Sequence, residues 1–268
     1  TGIDCGTDCV HDAAWRDNEL PLTNRLTATL NPGWGFQTWS NCEVRPTQSN
    51  QCDASYGTEL TTEVTARFID VQAPTVFLQQ PAHGAVVSNS VHGAVQVTDN
   101  DRVARVDYLI DGAVVGTSNT GTFEATIDVS GVSEGEHQFQ ARAYDPTGNN
   151  GITAARTFTV DHTGPAIELN SPLTATASTR PEFSFSSSST DLGQVSCVIR
   201  KKGVDRDYST CTPGNWFAGD APEEGDWQFE VWASDAVGNV TQVVHDFVVD
   251  RTAPVAGFTS GPADGSVV

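Results

Sequence analysis

The sequence has no run of about 18 apolar residues, the length a helix needs to cross a bilayer, so no membrane-spanning helix is expected. Basic charge is scarce. Only 14 Lys and Arg face 34 Asp and Glu, and the net charge of −20 is spread along the chain with no acidic tail. Such a surface repels phosphate backbones, which excludes nucleic acid as a partner. Lysine occurs only as the neighbours Lys201 and Lys202, beside a hairpin tip expected at Gly203. Spontaneous lysine–asparagine isopeptide links are therefore excluded from the first two thirds of the chain. Catalytic signatures are missing as well: there is no Gly-x-Ser-x-Gly, no His-Glu-x-x-His, no phosphate loop and no Cys-His arrangement. The six histidines are scattered, and His11-Asp12 and Asp17-x-Glu19 have no partner histidine at ligand spacing. No enzymatic activity is expected.

What the chain does contain is an internal repeat. Gly135-Glu136-His137-Gln138-Phe139-Gln140-Ala141-Arg142-Ala143 through Asp145-x-x-Gly148-Asn149 returns as Gly225-Asp226-Trp227-Gln228-Phe229-Glu230-Val231-Trp232-Ala233 through Asp235-x-x-Gly238-Asn239. The alternation puts His137, Phe139, Ala141 and Ala143 on one face and Trp227, Phe229, Val231 and Ala233 on its equivalent. Period two over this length predicts half-buried strands, each leading into a tight turn. His137 falls on the inward face and reads as a packed ring, not a base. A second phrase, Asp70-x-x-x-Pro74, Asp161-x-x-x-Pro165 and Asp250-x-x-x-Pro254, marks the joints. The chain then divides into modules 1–71, 72–161 and 162–250 and a tail 251–268.

Modules of this size gain from covalent staples. The six cysteines fall as close pairs, Cys5 with Cys9, Cys42 with Cys52 and Cys197 with Cys211, without metal-type Cys-x-x-Cys spacing, and read as disulfides. That places the protein outside the cytosol, secreted or at a cell surface.

Residues 1–71 carry a strand at Leu22–Thr29, a turn at Asn31-Pro32-Gly33, a loop between Cys42 and Cys52 and a strand at Thr61–Phe68. Gly2-Ile3-Asp4-Cys5-Gly6-x-x-Cys9, Gly33-x-x-Phe36-x-x-Trp39-Ser40-x-Cys42 and Val64-Thr65-Ala66-x-Phe68 resemble the divergent InlB B-repeat modules of bacterial surface proteins. The glycine-rich strand that usually opens such a module is missing here. Trp34, Trp39 and Trp216 are candidates for stacking on a sugar, although Trp39 with Phe36, beside a cysteine in a small β module, fits a core as well.

Residues 72–161 show seven or so short strands: Thr75–Leu78, Ala94–Val97, Val103–Ile110, Val114–Gly116, Phe123–Val129, the repeated strand and Ala154–Val160. Asp111-Gly112 marks a two-residue hairpin, and the spacing of turns predicts an immunoglobulin-like sandwich. Asp99-Asn100, Asp111-Gly112, Glu134-Gly135, Ala143-x-Asp145 and Gly148-Asn149 resemble the bacterial immunoglobulin-like repeats found in tandem on secreted and surface proteins. Residues 162–250 repeat the plan with strands at Pro165–Leu169, Pro181–Ser186 and Val195–Arg200. Phe183-x-Phe185, Cys197, Cys211 and Asp235-x-x-Gly238-Asn239 resemble a variant of the same module in which one disulfide ties neighbouring strands. The fold class expected is all-β: tandem immunoglobulin-like sandwiches in a rod, after a smaller disulfide-stapled module.

Sandwich topology gathers the start of the first strand, the loop between second and third strands and the last hairpin at one end. In the middle module these places hold Asp70, Asp99, Asp101, Asp145 and Asn149, and in the third they hold Asp161, Asp191, Asp235 and Asn239. Hard oxygen ligands converging from separate loops suit calcium. The competing reading is that such Asp and Asn side chains bond neighbouring backbone N–H groups. The tail from Pro254 to Pro262 matches the first strand of a further sandwich, so the chain is expected to be a piece of a longer tandem protein or a subunit that donates a strand to its neighbour. Expected partners are neighbouring repeats or end-to-end copies of the chain, with a surface receptor or glycan as the other candidates. The functional expectation is a non-catalytic structural or adhesive stalk or filament segment. Its alternative is a spacer or carbohydrate-binding part of a secreted hydrolase.

Overall fold

The computed structural model describes residues 2–4, 8–11, 23–55, 64–119, 121–170, 173–217 and 222–257. Every regular element among them is a β-strand, and the chain divides into two compact units, Thr1–Val160 and Asp161–Val268.

The first unit opens with a small β module. One sheet runs in the order Gly2–Asp4, Thr23–Thr29, Gln48–Ser55, Glu43–Arg45, and the other in the order Asp8–His11, Val64–Asp70, Trp34–Ser40. Val64–Asp70 buries every second side chain, as its Val-Thr-Ala-x-Phe alternation requires. Between the sheets lie Leu26, Ala28, Trp39, Cys52, Ala54 and Phe68. The disulfide Cys42–Cys52 closes the edge. The Cys5–Cys9 pairing lies outside the described residues. The segment expected as a loop after Cys42 instead forms the strands Glu43–Arg45 and Gln48–Ser55. Its polar Gln-Ser-Asn-Gln run hides the alternation, and only Cys52 and Ala54 point inward to show it.

A sandwich follows in the same unit. Its three-stranded sheet is ordered Glu124–Asp128, Ser90–Thr98, Thr75–Gln80, and its larger sheet Ala113–Ser118, Arg105–Ile110, Gly135–Tyr144, Arg156–Val160, Ala85–Val87, with Asn150–Ile152 also paired to Gly135–Tyr144. Phe139, Phe158, Tyr108, Val106 and Val160 fill the space between. At the hairpin tip Asp111 and Gly112 both have positive φ, 50° and 83°, as a type I′ turn requires. The first strand changes sheets: Thr75–Gln80 pairs with Ser90–Thr98, while Ala85–Val87 lies parallel to Arg156–Val160. Pro81 interrupts the ladder between them, and the Arg156 guanidinium donates to the carbonyls of Leu78, Gln79 and Pro81 that the crossover leaves open.

The second unit is another sandwich, with sheets ordered Ile167–Asn170, Glu182–Ser187, Gly214–Phe217 and Ala175–Thr176, Val240–Val249, Gly225–Asp235, Leu192–Lys201, Ser209–Thr210. It repeats the sheet change, with Ala175–Thr176 parallel to Val240–Val249. Here Arg251 supplies the guanidinium, donating to the carbonyls of Ala177, Ser178 and Pro222. Phe183 stacks on Phe229 at 4.5 Å, and the disulfide Cys197–Cys211 lies among the core residues. The protein is all-β, with immunoglobulin-like sandwiches in tandem after a smaller disulfide-stapled module.

Candidate functional site

The two repeated phrases of the sequence meet in space. In the first unit the Asp145 carboxylate closes its own turn: Oδ1 accepts the N–H groups of Gly148 at 2.6 Å and Asn149 at 2.8 Å, and the Thr147 hydroxyl at 3.0 Å. Its Oδ2 accepts the Asn149 side-chain amide at 2.7 Å. The same amide reaches the backbone carbonyl of Asp70 at 3.0 Å. Burial pushes the Asp145 carboxyl up, but these donors outweigh it and hold the group below the usual carboxylate range. Asp145 is thus an anion 3% exposed.

Asp70, also 3% exposed, accepts through Oδ1 from the Gln72 N–H at 2.9 Å and the Asn100 side-chain amide at 3.1 Å. Asp99 accepts through Oδ1 from the Asp101 N–H at 3.2 Å. Three oxygens are then left over. Asp70 Oδ2, Asp99 Oδ2 and Asn100 Oδ1 are buried without a hydrogen-bond partner, although a buried acceptor normally has one. One oxygen from each of Asp70, Asp99 and Asp145 lies within 4.8 Å of the others. Burial raises the Asp99 carboxyl; its bond from the Asp101 N–H opposes this, and the charge of Asp70, the close approach of the Asp70 and Asp99 carboxyl groups and the charge of Asp145 add to the rise. Among the described residues no ion pair involves these three carboxylates.

The cluster also touches the small N-terminal module. The Val71 N–H donates to the Gly33 carbonyl at 2.9 Å. Gly33 has φ +88°, and a Cβ there would stand 3.0 Å from the Asn100 amide nitrogen and 2.6 Å from Gln72 Oε1. Glycine is required at this place by both backbone and space.

The second unit repeats the clasp without the surplus. Asn239 donates to Asp235 Oδ2 and to the Asp161 carbonyl, both at 2.8 Å, and Asp235 accepts the N–H groups of Val237 and Asn239 at 2.9 Å each. Burial pushes Asp235 up, and these bonds hold it below the usual range. Asp161, Asp191 and Asp235 again bring oxygens within 4.8 Å. Here Asp161 is half-buried and Asp191 exposed, and among the described residues no buried oxygen of the cluster lacks a partner.

Of the acids expected at the middle module's end, Asp70, Asp99 and Asp145 come together. Asp101 does not: its side chain is exposed, and it serves the cluster only through its N–H. Asn149 and Asn239 present amide nitrogens to the acids, so they act as donors there. Reading residue types alone passes over the unpaired oxygen of Asn100 and over Thr147 as a donor; the Asp-Asn-Asp triplet was the only signal for the former.

Of the three candidate tryptophans, Trp39 lies in a core and Trp34 and Trp216 are half-buried against theirs. Trp39 is 6% exposed in the core, 5.6 Å from the Phe36 ring, which closes its faces to a ligand. Trp34 packs against the same cluster, and Trp216 stacks on Phe229 at 5.7 Å. His137 lies inward as expected, 5.9 Å from the Phe158 ring, but both its nitrogens are engaged. Nδ1 is 2.6 Å from Asp111 Oδ2 and Nε2 is 2.8 Å from the Ser133 carbonyl. The Asp111 bond raises the ring's pKa, burial opposes it, and the carbonyl adds to the rise. Because both partners are acceptors, they favour the protonated ring, which offers a donor to each; the Ser133 hydroxyl lies 3.4 Å from Nε2.

Residues 74–141 match the bacterial Ig domain family. No curated protein matches the chain. Among solved structures, it is similar to the fibronectin(III)-like modules of Clostridium thermocellum CbhA, at 16% identity over 69% of this chain and 100% of that one, with a TM-score of 0.36. It is also similar to a multidomain segment of titin, at 9% identity over 93% and 95% of the two chains with a TM-score of 0.36. The D00–D0 domain of intimin is 15% identical over 66% of this chain and 100% of its own, with a TM-score of 0.28.

Proposed function

We propose that the chain is a non-catalytic segment of a bacterial surface or secreted protein, a stalk or filament element that spaces or presents adhesive parts. The observation that carries this reading is the repeated clasp. Asn149 ties the last hairpin of one sandwich to the carbonyl of Asp70, where the chain comes into it, and Asn239 does the same for Asp161 in the next. A pull applied at the incoming strand is thereby shared with the opposite hairpin, so the strand resists peeling. The disulfides Cys42–Cys52 and Cys197–Cys211 support an oxidising compartment, and the match of residues 74–141 to bacterial Ig domains supports a surface setting. In this reading residues 1–71 are a module of the InlB B-repeat type, and the partners are neighbouring modules or further copies of the chain.

Single-molecule force spectroscopy on the whole chain tests it. Each sandwich of roughly 90 residues should unfold in one abrupt step, releasing about 300 Å in the middle sandwich and about 50 Å less in the next, where Cys197–Cys211 keeps its loop closed, since an extended chain spans about 3.3–3.6 Å per residue. Gradual extension at low force, without discrete steps, would contradict a load-bearing role.

A further inference from the structure

We propose that Asp70, Asp99, Asn100 and Asp145 form a calcium site at the end of the middle sandwich, and that the bound ion holds the Asn31–Gly33 turn of the N-terminal module against that sandwich. The proposal is independent of the stalk reading.

The starting point is the set of oxygens the protein leaves unpaired. Asp70 Oδ2 belongs to a residue 97% buried, and it has no donor; Asp99 Oδ2 and Asn100 Oδ1, on half-buried residues, are also covered atoms without a partner. A buried acceptor without a donor costs about 1–3 kcal/mol, more when charged. Here two such atoms belong to Asp70 and Asp99, which with Asp145 bring carboxylate oxygens within 4.8 Å of one another, and the third belongs to Asn100, next to Asp99 in the chain. A proton shared between Asp99 and Asp70 would relieve part of the repulsion. It would still leave a net negative charge among the three carboxyl groups, and a divalent cation would offset that charge directly.

The donor chemistry selects the ion. Four residues from three separate segments offer only oxygen, which suits a hard cation and not zinc, whose protein sites favour nitrogen and sulfur. Calcium binds oxygens at about 2.3–2.6 Å, so two ligands across the ion stand about 4.6–5.2 Å apart. The separation of at most 4.8 Å fits that span. Magnesium prefers a tighter octahedron and keeps several waters.

The same residues explain why the ion would act between modules. Asn100 turns its amide nitrogen to Asp70 and packs against Gly33, while Val71, next to Asp70, donates to the Gly33 carbonyl at 2.9 Å. Fixing Asp70 and Asn100 to a common ion therefore fixes the two groups that touch the turn. The acidic cluster of the second unit has no unpaired buried oxygen among the described residues, so the proposal stops at the first.

The test uses the whole chain, stripped with a chelator. Isothermal titration with calcium chloride should show one site, with a dissociation constant on the order of 0.1–1 mM as in extracellular modules. The first unfolding transition should rise by about 3–10 °C at 10 mM calcium. Asp99→Asn, at a half-buried position where folding should survive, should lose at least tenfold in affinity, and Asp191→Asn should lose none. Hydrogen exchange at the Val71 N–H should slow when calcium is added. No heat and no thermal shift, an equal response to magnesium, or an undiminished response in Asp99→Asn would each overturn the site. Calcium binding without slower exchange at Val71 would overturn the coupling to the turn.

Discussion

Asn149 and Asp70 stand 79 residues apart in the chain, yet the side-chain amide of the first donates to the backbone carbonyl of the second at 3.0 Å. The pair is the point at which the last hairpin of the sandwich meets its first strand. Asn239 and Asp161 repeat it at 2.8 Å across 78 residues. Each Asn also holds the Asp carboxylate of its own turn, so one side chain both closes the hairpin and ties it to the incoming strand. Replacing Asn149 or Asn239 with Ala removes these bonds and leaves a buried carboxylate oxygen short of a donor. We expect a loss of about 1–3 kcal/mol in the unit concerned, measured as a lower urea midpoint with an unchanged slope. A loss below about 0.5 kcal/mol would mean that the clasp is incidental.

Acid should loosen both sandwiches for the same reason. Asp145 and Asp235 are held below the usual carboxylate range in the folded state. A depressed folded value means that their contribution is complete above the unfolded value, about 3.9, and is lost as pH falls through the folded value. Thermal scans from pH 7 to pH 2 should show a steep fall beginning near pH 5. Asp235→Asn should flatten that fall for the second unit. Parallel curves for wild type and variant would remove Asp235 from the account.

The strands were legible because they rest on period-two alternation and on short turn phrases, both local signals. Phe139, Ala141 and Ala143, with Phe229, Val231 and Ala233, are wholly buried where the alternation puts them. The sheet change was not legible. Ala85–Val87 and Ala175–Thr176 are too short to show a period, and their partners lie some 70 residues away. The acidic ends were visible as sets of residue types. What sequence spacing does not tell is which oxygens remain unpaired: Asp70, Asp99 and Asp145 look like Asp161, Asp191 and Asp235 in the chain. The sequence does show Asn100 beside Asp99 where Leu192 follows Asp191, but the difference in burial depends on how the neighbouring segments pack.

Glu230 interrupts the alternation of its strand, buried between Phe229 and Val231 with a fully covered side chain. Arg200 donates to it at 2.5–2.6 Å, the Tyr208 hydroxyl at 2.5 Å and the Gln242 amide at 3.1 Å. A fully buried carboxylate is tolerable only with such partners. Arg200→Met alone should cost about 3–5 kcal/mol by stranding the charge, while the double change Arg200→Met with Glu230→Leu should cost far less. Unfolding the wild type, both single variants and the double variant gives the coupling directly. Additive losses would show that the pair is not a unit.

Reduction should weaken the second unit measurably. The disulfide Cys197–Cys211 spans a separation of 14 residues, and closing a loop of that size contributes about 3 kcal/mol in the chain-entropy view. Cys197→Ala with Cys211→Ser, unfolded in urea beside the oxidised parent, should show a loss of that order in the second unit alone. An unchanged midpoint would leave the fold dependent on Phe183, Phe229 and their neighbours without the staple.

The imidazolium of His137 makes the middle sandwich sensitive in the opposite direction, toward alkali. Its pKa is raised first by Asp111, whose own carboxyl is held low by the same bond and by the Gln138 N–H. A raised folded value means that the contribution is fully present below the unfolded value near 6.5 and is lost as pH climbs through the folded value. Above that point the neutral ring keeps only one proton for two acceptors, the Asp111 carboxylate and the Ser133 carbonyl. The first unit should therefore melt at a lower temperature at pH 9 than at pH 6, and His137→Gln should melt at nearly the same temperature at both. Following the ring by proton NMR checks the cause: a midpoint above 6.5 that returns toward it in Asp111→Asn supports the ion pair. A midpoint at or below 6.5 in the wild type would show that burial outweighs Asp111, and the alkaline loss should then be absent.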